Sequence, residues 1–216
     1  MGGRSGSSGM GGGSGKPVDV RNEIDVWSFR HNPDNQPFVA AINEGARKIQ
    51  NDFDDLMSET ITSINAAELG GEDRRHTLGF YTPSTKSLSL NDNYVDIDKM
   101  NRVYDRSVAE GYHPSRGNLT GTEAVALHEL GHALTDHVAK KMGAKDIDDA
   151  AMKIFTAAYR ASHGRGPYKN WAGQISGYAQ ENYAESIAEA VSDYYCNGTG
   201  ASAASQAIMR ELFKYR

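Results

Sequence analysis

Residues 122–136 read TEAVALHELGHALTD, a stretch that combines an apolar composition with two closely spaced histidines. Small and aliphatic residues fill most of its positions, which is typical of a helix that lies inside a protein. His128 and His132 are four residues apart, so their side chains lie on one helical face, one turn from each other. This spacing predicts a pair of metal ligands, and Glu129 beside them is placed to act as a base toward water.

A catalytic zinc site needs a third protein ligand. This ligand can be a third histidine close to the first two, as in metzincins, or a carboxylate from a later helix. The metzincin pattern requires a glycine three residues and a histidine six residues after the second histidine, but Thr135 and Val138 occupy those positions. A carboxylate from a later helix remains. Residues 182–190, NYAESIAEA, offer Glu185 and Glu189 on one helical face, and the residues alone leave both open as the ligand.

Two motifs carry a resemblance to a known family. The first is HELGHA at 128–133, followed by Asp136, and the second is SGYA at 176–179, which leads into ESIAEA at 185–190. In order and local spacing they resemble the gluzincin zinc metallopeptidases of the anthrax lethal factor type, a family of catalytic domains found in toxins and phage-associated proteins. The resemblance covers roughly residues 77–195.

The resemblance implies a zinc-dependent endopeptidase whose substrate is a protein or peptide. Zn²⁺ is then bound by His128, His132 and Glu185, while Glu129 activates the water. The implied fold is zincin-like and α+β, mainly helical, with a small β-sheet packed on the helix that carries the two histidines.

Three further residues receive roles from the same resemblance. Tyr178 corresponds to the family's tyrosine, whose hydroxyl donates to the oxyanion of the tetrahedral intermediate. Glu189 and Asp136 correspond to carboxylates behind the ligands, and Glu189 is expected to orient a ligating histidine and fix its tautomer.

The chain is expected to divide into a disordered tail and one folded domain. Residues 1–16 are almost entirely Gly and Ser, a composition that buries too little apolar area to offset its ordering entropy. Residues 17–216 are long enough for a single hydrophobic core, which we assign to one zincin-like metallopeptidase domain.

Periodicity predicts the secondary structure within that domain. Residues 77–91 are predicted to form a β-hairpin, with residues 88–91 in an edge strand, because runs of strand formers flank a turn-forming segment. Thr122 is predicted as the N-cap of the histidine-bearing helix. Apolar residues at three- and four-residue spacings predict the other helices, over residues 37–65, 96–110, 146–162, 180–195 and 201–213.

Charge and hydropathy exclude some classes of partner. The net charge of −5 is spread over both signs without a basic stripe, so no nucleic-acid partner is expected. No apolar run approaches the ~20 residues that span a bilayer, and the start lacks the apolar core of a secretory signal. We therefore expect a soluble chain without a membrane span; a virion-associated or exported location and the oligomeric state stay open.

Three other hypotheses are compatible with the same residues. One is a structural zinc domain of a phage or secreted particle with no proteolytic role, although such a site fills all four positions with ligands and has no use for Glu129. Another is a metal-free binding module, which would leave imidazoles and carboxylates buried without a cation at considerable cost. The last is a zinc hydrolase that acts on a bond other than a peptide bond.

Overall fold

The computed structural model describes residues 36–53, 56, 61, 63–67 and 77–216. The Gly/Ser-rich segment 1–16, for which disorder is predicted, lies outside these residues. The helices are α1 (Gln36–Gln50), α2 (Ile97–Ala109), α3 (Gly121–Lys141), α4 (Ile147–Ala161), α5 (Tyr168–Ala172), α6 (Tyr183–Asn197) and α7 (Ala203–Leu212), and the strands are β1 (Ser63–Ala67), β2 (Gly79–Thr82) and β3 (Ser87–Asn91).

The α+β, mainly helical fold class predicted from the sequence is confirmed. Helix α3 is the centre of the fold, since α1, α2, α4, α6 and β2 all pack against it. Most of its side chains are buried for that reason, including those on the face that bears His128. Within the described part of the chain, no helix combines the length and the apolar character that crossing a membrane requires.

Helix α3 begins with a capping box. Thr120 Oγ1 accepts a hydrogen bond from the Glu123 N–H at 3.2 Å, and Glu123 Oε2 accepts one from the Thr120 N–H at 2.7 Å. The predicted cap Thr122 is wrong by two residues. The reciprocal pair needs a glutamate three residues after the cap, and Thr120 meets this requirement whereas Thr122 has Val125 at that position.

Helices α3 and α6 approach closely at Gly131, inside the histidine motif. A Cβ atom at this position would lie 2.8 Å from Ala188 Cα and 3.2 Å from Val191 Cβ. The hydrogen atom that glycine carries instead lets α6 lie directly on α3. The close approach brings the carboxylates of α6 up to the two histidines.

Gly131→Ala is expected to lower the free energy of unfolding by about 1–3 kcal/mol, because the added methyl group meets backbone that cannot move aside cheaply. Denaturant titration of both proteins measures the change. Gly200→Ala is the matched control, since a Cβ there meets no atom within 4 Å. Equal midpoints for Gly131→Ala and the parent would contradict the close packing.

The sheet has the strand order β1-β3-β2. Strands β2 and β3 pair antiparallel, as the predicted hairpin requires, and residues 83–86 form the turn between them. The edge-strand prediction for residues 88–91 is wrong: β1 pairs in parallel with the other side of β3, from Ser63 opposite Ser87 to Ala67 opposite Asn91. Among the strands that the structure describes, β3 is therefore central, and β2 lies at an edge next to α3.

The helix predicted over residues 37–65 ends at Gln50. Residues 63–67, whose first part was included in that helix, form strand β1. A short apolar run reads equally as helix or buried strand, and here the parallel pairing with β3 decides in favour of the strand.

The remaining predicted helices are confirmed with small shifts of their ends. Asp96, Asp146 and Asn182 each accept a hydrogen bond from the backbone N–H three residues later, which starts α2, α4 and α6. The helix predicted from residue 180 thus begins at Tyr183. The helix predicted over residues 201–213 spans Ala203–Leu212.

Candidate metal centre

Three side chains from two helices meet at the surface of α3. The Nε2 atom of His128 lies 3.2 Å from Glu185 Oε2, and the Nε2 atom of His132 lies 3.4 Å from the same oxygen. The three residues form a group whose ligand atoms all lie within 4.8 Å of one another. Between the two carboxylates that the residues left open, Glu185 is thus the one that faces both imidazoles.

The distances between the nitrogen and oxygen atoms of this group fit a single cation bound by all three side chains. Zinc bonds to imidazole nitrogen and carboxylate oxygen are about 2.0–2.2 Å long, which places tetrahedral ligand atoms about 3.3–3.6 Å apart. Glu185 Oε2 is buried, and neither imidazole contact has the geometry of a hydrogen bond. Burial of a carboxylate oxygen without a hydrogen bond costs free energy unless a cation lies next to it. The donor set therefore fits Zn²⁺.

Glu189 lies behind His128 and accepts hydrogen bonds on both oxygens. Its Oε1 is 2.8 Å from His128 Nδ1 and 3.0 Å from His113 Nδ1, and its Oε2 accepts from Ser176 Oγ at 2.6 Å. Burial alone would raise the pKa of this carboxyl, but the bonds from the two imidazoles hold it at about 2. Glu189 is therefore ionised, and each imidazole Nδ1 that it contacts carries a proton.

This arrangement sets the chemistry of His128. With the Nδ1 proton directed to Glu189, the Nε2 lone pair of the neutral ring points toward Glu185, where a metal ion would bind. Without an ion, burial lowers the pKa of His128, but the carboxylates of Glu185 and Glu189 raise it further, to well above its usual value. A metal ion bound at this nitrogen would therefore replace a proton.

Glu129 lies beside the ligand group and is 5% exposed. Strand β2 comes so close that a Cβ on Gly79 would lie 3.1 Å from Glu129 Cγ. Burial and the negative charge of Glu185 raise the pKa of Glu129, against the opposing effect of the two imidazoles. Its carboxylate thus has the surroundings of a proton acceptor rather than those of a strongly ionised surface group.

Tyr178 stacks on the ring of His128, with 5.7 Å between ring centroids and 16° between planes. Its backbone N–H donates to the Tyr112 carbonyl at 2.9 Å, and the Gly177 N–H donates to the Gly111 carbonyl at 2.8 Å. Burial and the charge of Glu185 raise the pKa of the Tyr178 phenol well above its usual value. Its hydroxyl therefore keeps its proton and is available as a hydrogen-bond donor.

Asp136 lies one turn after His132 on α3. It accepts a hydrogen bond from Tyr81 Oη at 3.0 Å, and Lys140 Nζ lies 3.8 Å away. Asp136 was expected to lie behind a ligating histidine, but these two partners are a tyrosine and a lysine. Through Tyr81, Asp136 ties the edge strand β2 to the helix that carries the ligands.

The site opens into a cleft of about 330 Å³ that runs along β2. A second cavity, of about 210 Å³, shares His128, Glu129 and Tyr178 with the cleft. The cleft is lined by the ligand group, Glu129, Tyr178 and residues of the hairpin, among them Gly79, Phe80, Tyr81 and Pro83. The cavity is lined by Thr77, Leu78, Gly79, Tyr104, Tyr112, His113, Val125, His128, Glu129, Tyr178 and Glu189.

Sequence reasoning did not identify His113 as a residue of the site. His113 lies in the irregular stretch between α2 and α3, without a helical or strand period that could relate it to Glu189. A resemblance restricted to the two motifs cannot find it either.

Comparison with known proteins yields no match: no protein-family model, no curated protein and no solved structure is similar to this chain at a significant level.

Proposed function

We propose that this protein is a zinc-dependent endopeptidase with a zincin-like arrangement of its active-site helix and sheet. The observation that carries the proposal is the convergence of His128, His132 and Glu185 on one point, with Glu129 beside them in an open cleft. The resemblance of the two motifs to gluzincins of the lethal factor type supports the same assignment. The proposed substrate is a protein or peptide.

His128, His132 and Glu185 would hold the zinc ion, which would supply a Lewis acid for the carbonyl of the bond to be cleaved and lower the pKa of water. Glu129 takes a proton from the attacking water and later delivers it to the leaving amine. The Tyr178 hydroxyl donates a hydrogen bond to the oxyanion that forms when the substrate carbonyl oxygen takes up negative charge. Glu189 keeps the His128 ring in the orientation and tautomer that leave Nε2 free for the metal.

The edge strand β2 supplies a surface for an extended substrate. It borders the cleft, and its other side is paired with β3. A peptide that adds to this edge by main-chain hydrogen bonds would lie along the cleft that Glu129 lines. This placement favours cleavage within an extended chain over removal of a terminal residue.

A purely structural zinc site is less compatible with this geometry. Structural zinc is closed by four protein ligands, whereas the ligand group found among the described residues has three members. The fourth coordination position would then be left for a water molecule, and Glu129 lies beside the ligand group, where it could activate that water. The arrangement therefore favours catalysis.

Removal of the metal is expected to abolish hydrolysis of an unfolded protein substrate and of a fluorogenic peptide library. Excess zinc chelator should stop cleavage, and one equivalent of Zn²⁺, but not Mg²⁺, should restore it, since two imidazoles and one carboxylate select zinc. A panel of small esters is assayed in parallel. Ester hydrolysis without peptide cleavage would indicate a different hydrolase, and a zinc-loaded protein inactive on both panels would refute the proposed enzyme.

A further inference from the structure

His113 is held in a fixed position next to the metal centre. Its ring stacks on Tyr104 with 5.4 Å between centroids and 7° between planes. The rings of Tyr112 and Tyr178 lie against it edge to face, at 5.0 Å and 5.5 Å. Only 15% of the His113 side chain is exposed. Three aromatic contacts leave the imidazole little freedom to rotate.

The fixed ring directs one N–H to the carboxylate that orients a proposed ligand. Glu189 Oε1 is shared by His113 Nδ1 at 3.0 Å and His128 Nδ1 at 2.8 Å. Because a carboxylate only accepts, both nitrogens donate. One oxygen thus connects an imidazole that faces the metal position with an imidazole that does not.

The shared oxygen matters because Glu189 is almost completely buried, with 1% of its side chain exposed. A buried carboxylate needs donors on both oxygens, and Ser176 supplies the one on Oε2. Loss of the His113 donor would leave Oε1 with a single partner. His128 and Ser176 would then hold one oxygen each, so the carboxylate would be less firmly fixed about its last bond and its hold on His128 would loosen.

We propose that His113 is a positioning residue of the metal centre, which acts through Glu189 to hold the His128 imidazole in its metal-binding orientation. The proposal rests on the zinc site of the proposed function but not on peptidase activity. It assigns to the Tyr112-His113 segment a role in metal retention that neither sequence motif contains.

Two variants separate the N–H donor from the ring. His113→Phe keeps an aromatic ring between Tyr104 and Tyr178 but has no donor. His113→Asn loses the ring but places its amide N–H₂ near the position of Nδ1. A histidine with only a packing role would tolerate Phe better than Asn, whereas a positioning donor predicts the reverse.

The test measures zinc dissociation from the full-length protein, by transfer to a colorimetric chelator in the absence of substrate. Outer partners of a ligating histidine typically contribute 10–100-fold to metal affinity, so His113→Phe is expected to release zinc about tenfold faster than the parent. His113→Asn is expected to stay within about threefold of the parent. The visible spectrum of the cobalt-substituted protein should change for Phe and remain close to that of the parent for Asn.

His163→Asn is the matched control, because His163 is an exposed histidine with φ of 52°, a conformation that asparagine tolerates. If His113→Phe does not fold, His113→Met provides a second donor-free variant with an adaptable side chain.

A parental dissociation rate in the folded donor-free variant would overturn the proposal, as would equally fast release from His113→Asn. A parent protein that binds no zinc would overturn both this inference and the proposed function. A zinc-loaded parent without peptidase activity, in which the His113 variants behave as expected, would refute the proposed function alone.

Discussion

Glu129→Gln is expected to lower kcat/KM for peptide cleavage by a factor of about 10² to 10⁴, the usual contribution of a general acid–base group. The amide has nearly the shape of the carboxylate, but it cannot take a proton from water. Zinc content should stay at the parental level, because Glu129 is not a member of the group formed by His128, His132 and Glu185. Steady-state kinetics and elemental analysis of the same preparation measure both quantities.

The matched control for this prediction is Glu110→Gln, the same chemical change at an exposed position at the end of α2. It should leave both kcat/KM and zinc content unchanged. Undiminished peptide cleavage by Glu129→Gln would refute its role as the base. Loss of zinc together with activity would instead place Glu129 among the ligands.

Glu185→Ala is expected to deprive the protein of stoichiometric zinc. Among the residues that the structure describes, Glu185 is the one carboxylate that contacts both Nε2 atoms, at 3.2 Å and 3.4 Å, and the substitution removes it. A lost ligand should cost more than the 10–100-fold in affinity that outer partners contribute, so we expect a loss of more than about 100-fold. Competition with a chelator of known affinity, together with elemental analysis after dialysis, measures the change.

Glu181→Ala is the control for the loss of a negative charge near the site, since Glu181 is an exposed carboxylate just before α6. It should retain parental zinc. If Glu185→Ala binds zinc as the parent does, the third ligand is not Glu185. The same variant must keep its fold, which circular dichroism of the metal-free proteins verifies.

The local part of the site could be predicted from the sequence because one helix determines it. The four-residue spacing of His128 and His132 places both imidazoles on one face wherever the helix lies in the fold. The choice between Glu185 and Glu189 depends on how α6 is rotated and translated against α3. No local pattern contains that information, and in the structure the close contact at Gly131 contributes to it.

Most of the parts that were missed depend on contacts between distant residues. Residues 63–67 form a strand because β3 is available for parallel pairing, and the same pairing converts the expected edge strand into a central one. His113 joins the site through a hydrogen bond to a residue 76 positions later in the chain. Thr120 differs: its capping box with Glu123 is visible in the sequence, and the prediction of Thr122 overlooked it.

The central position of α3 has a consequence for the order in which the protein is made. During synthesis, α3 with both histidines leaves the ribosome well before α6, which carries Glu185 and Glu189. Because chains begin to fold from the N-terminal end during synthesis, the nascent protein passes through a stage in which the helix is exposed and the ligand set is incomplete. Under the proposed function, proteolytic competence is then acquired only after α6 has emerged, so the nascent chain is inactive toward its neighbours on the polysome until that point.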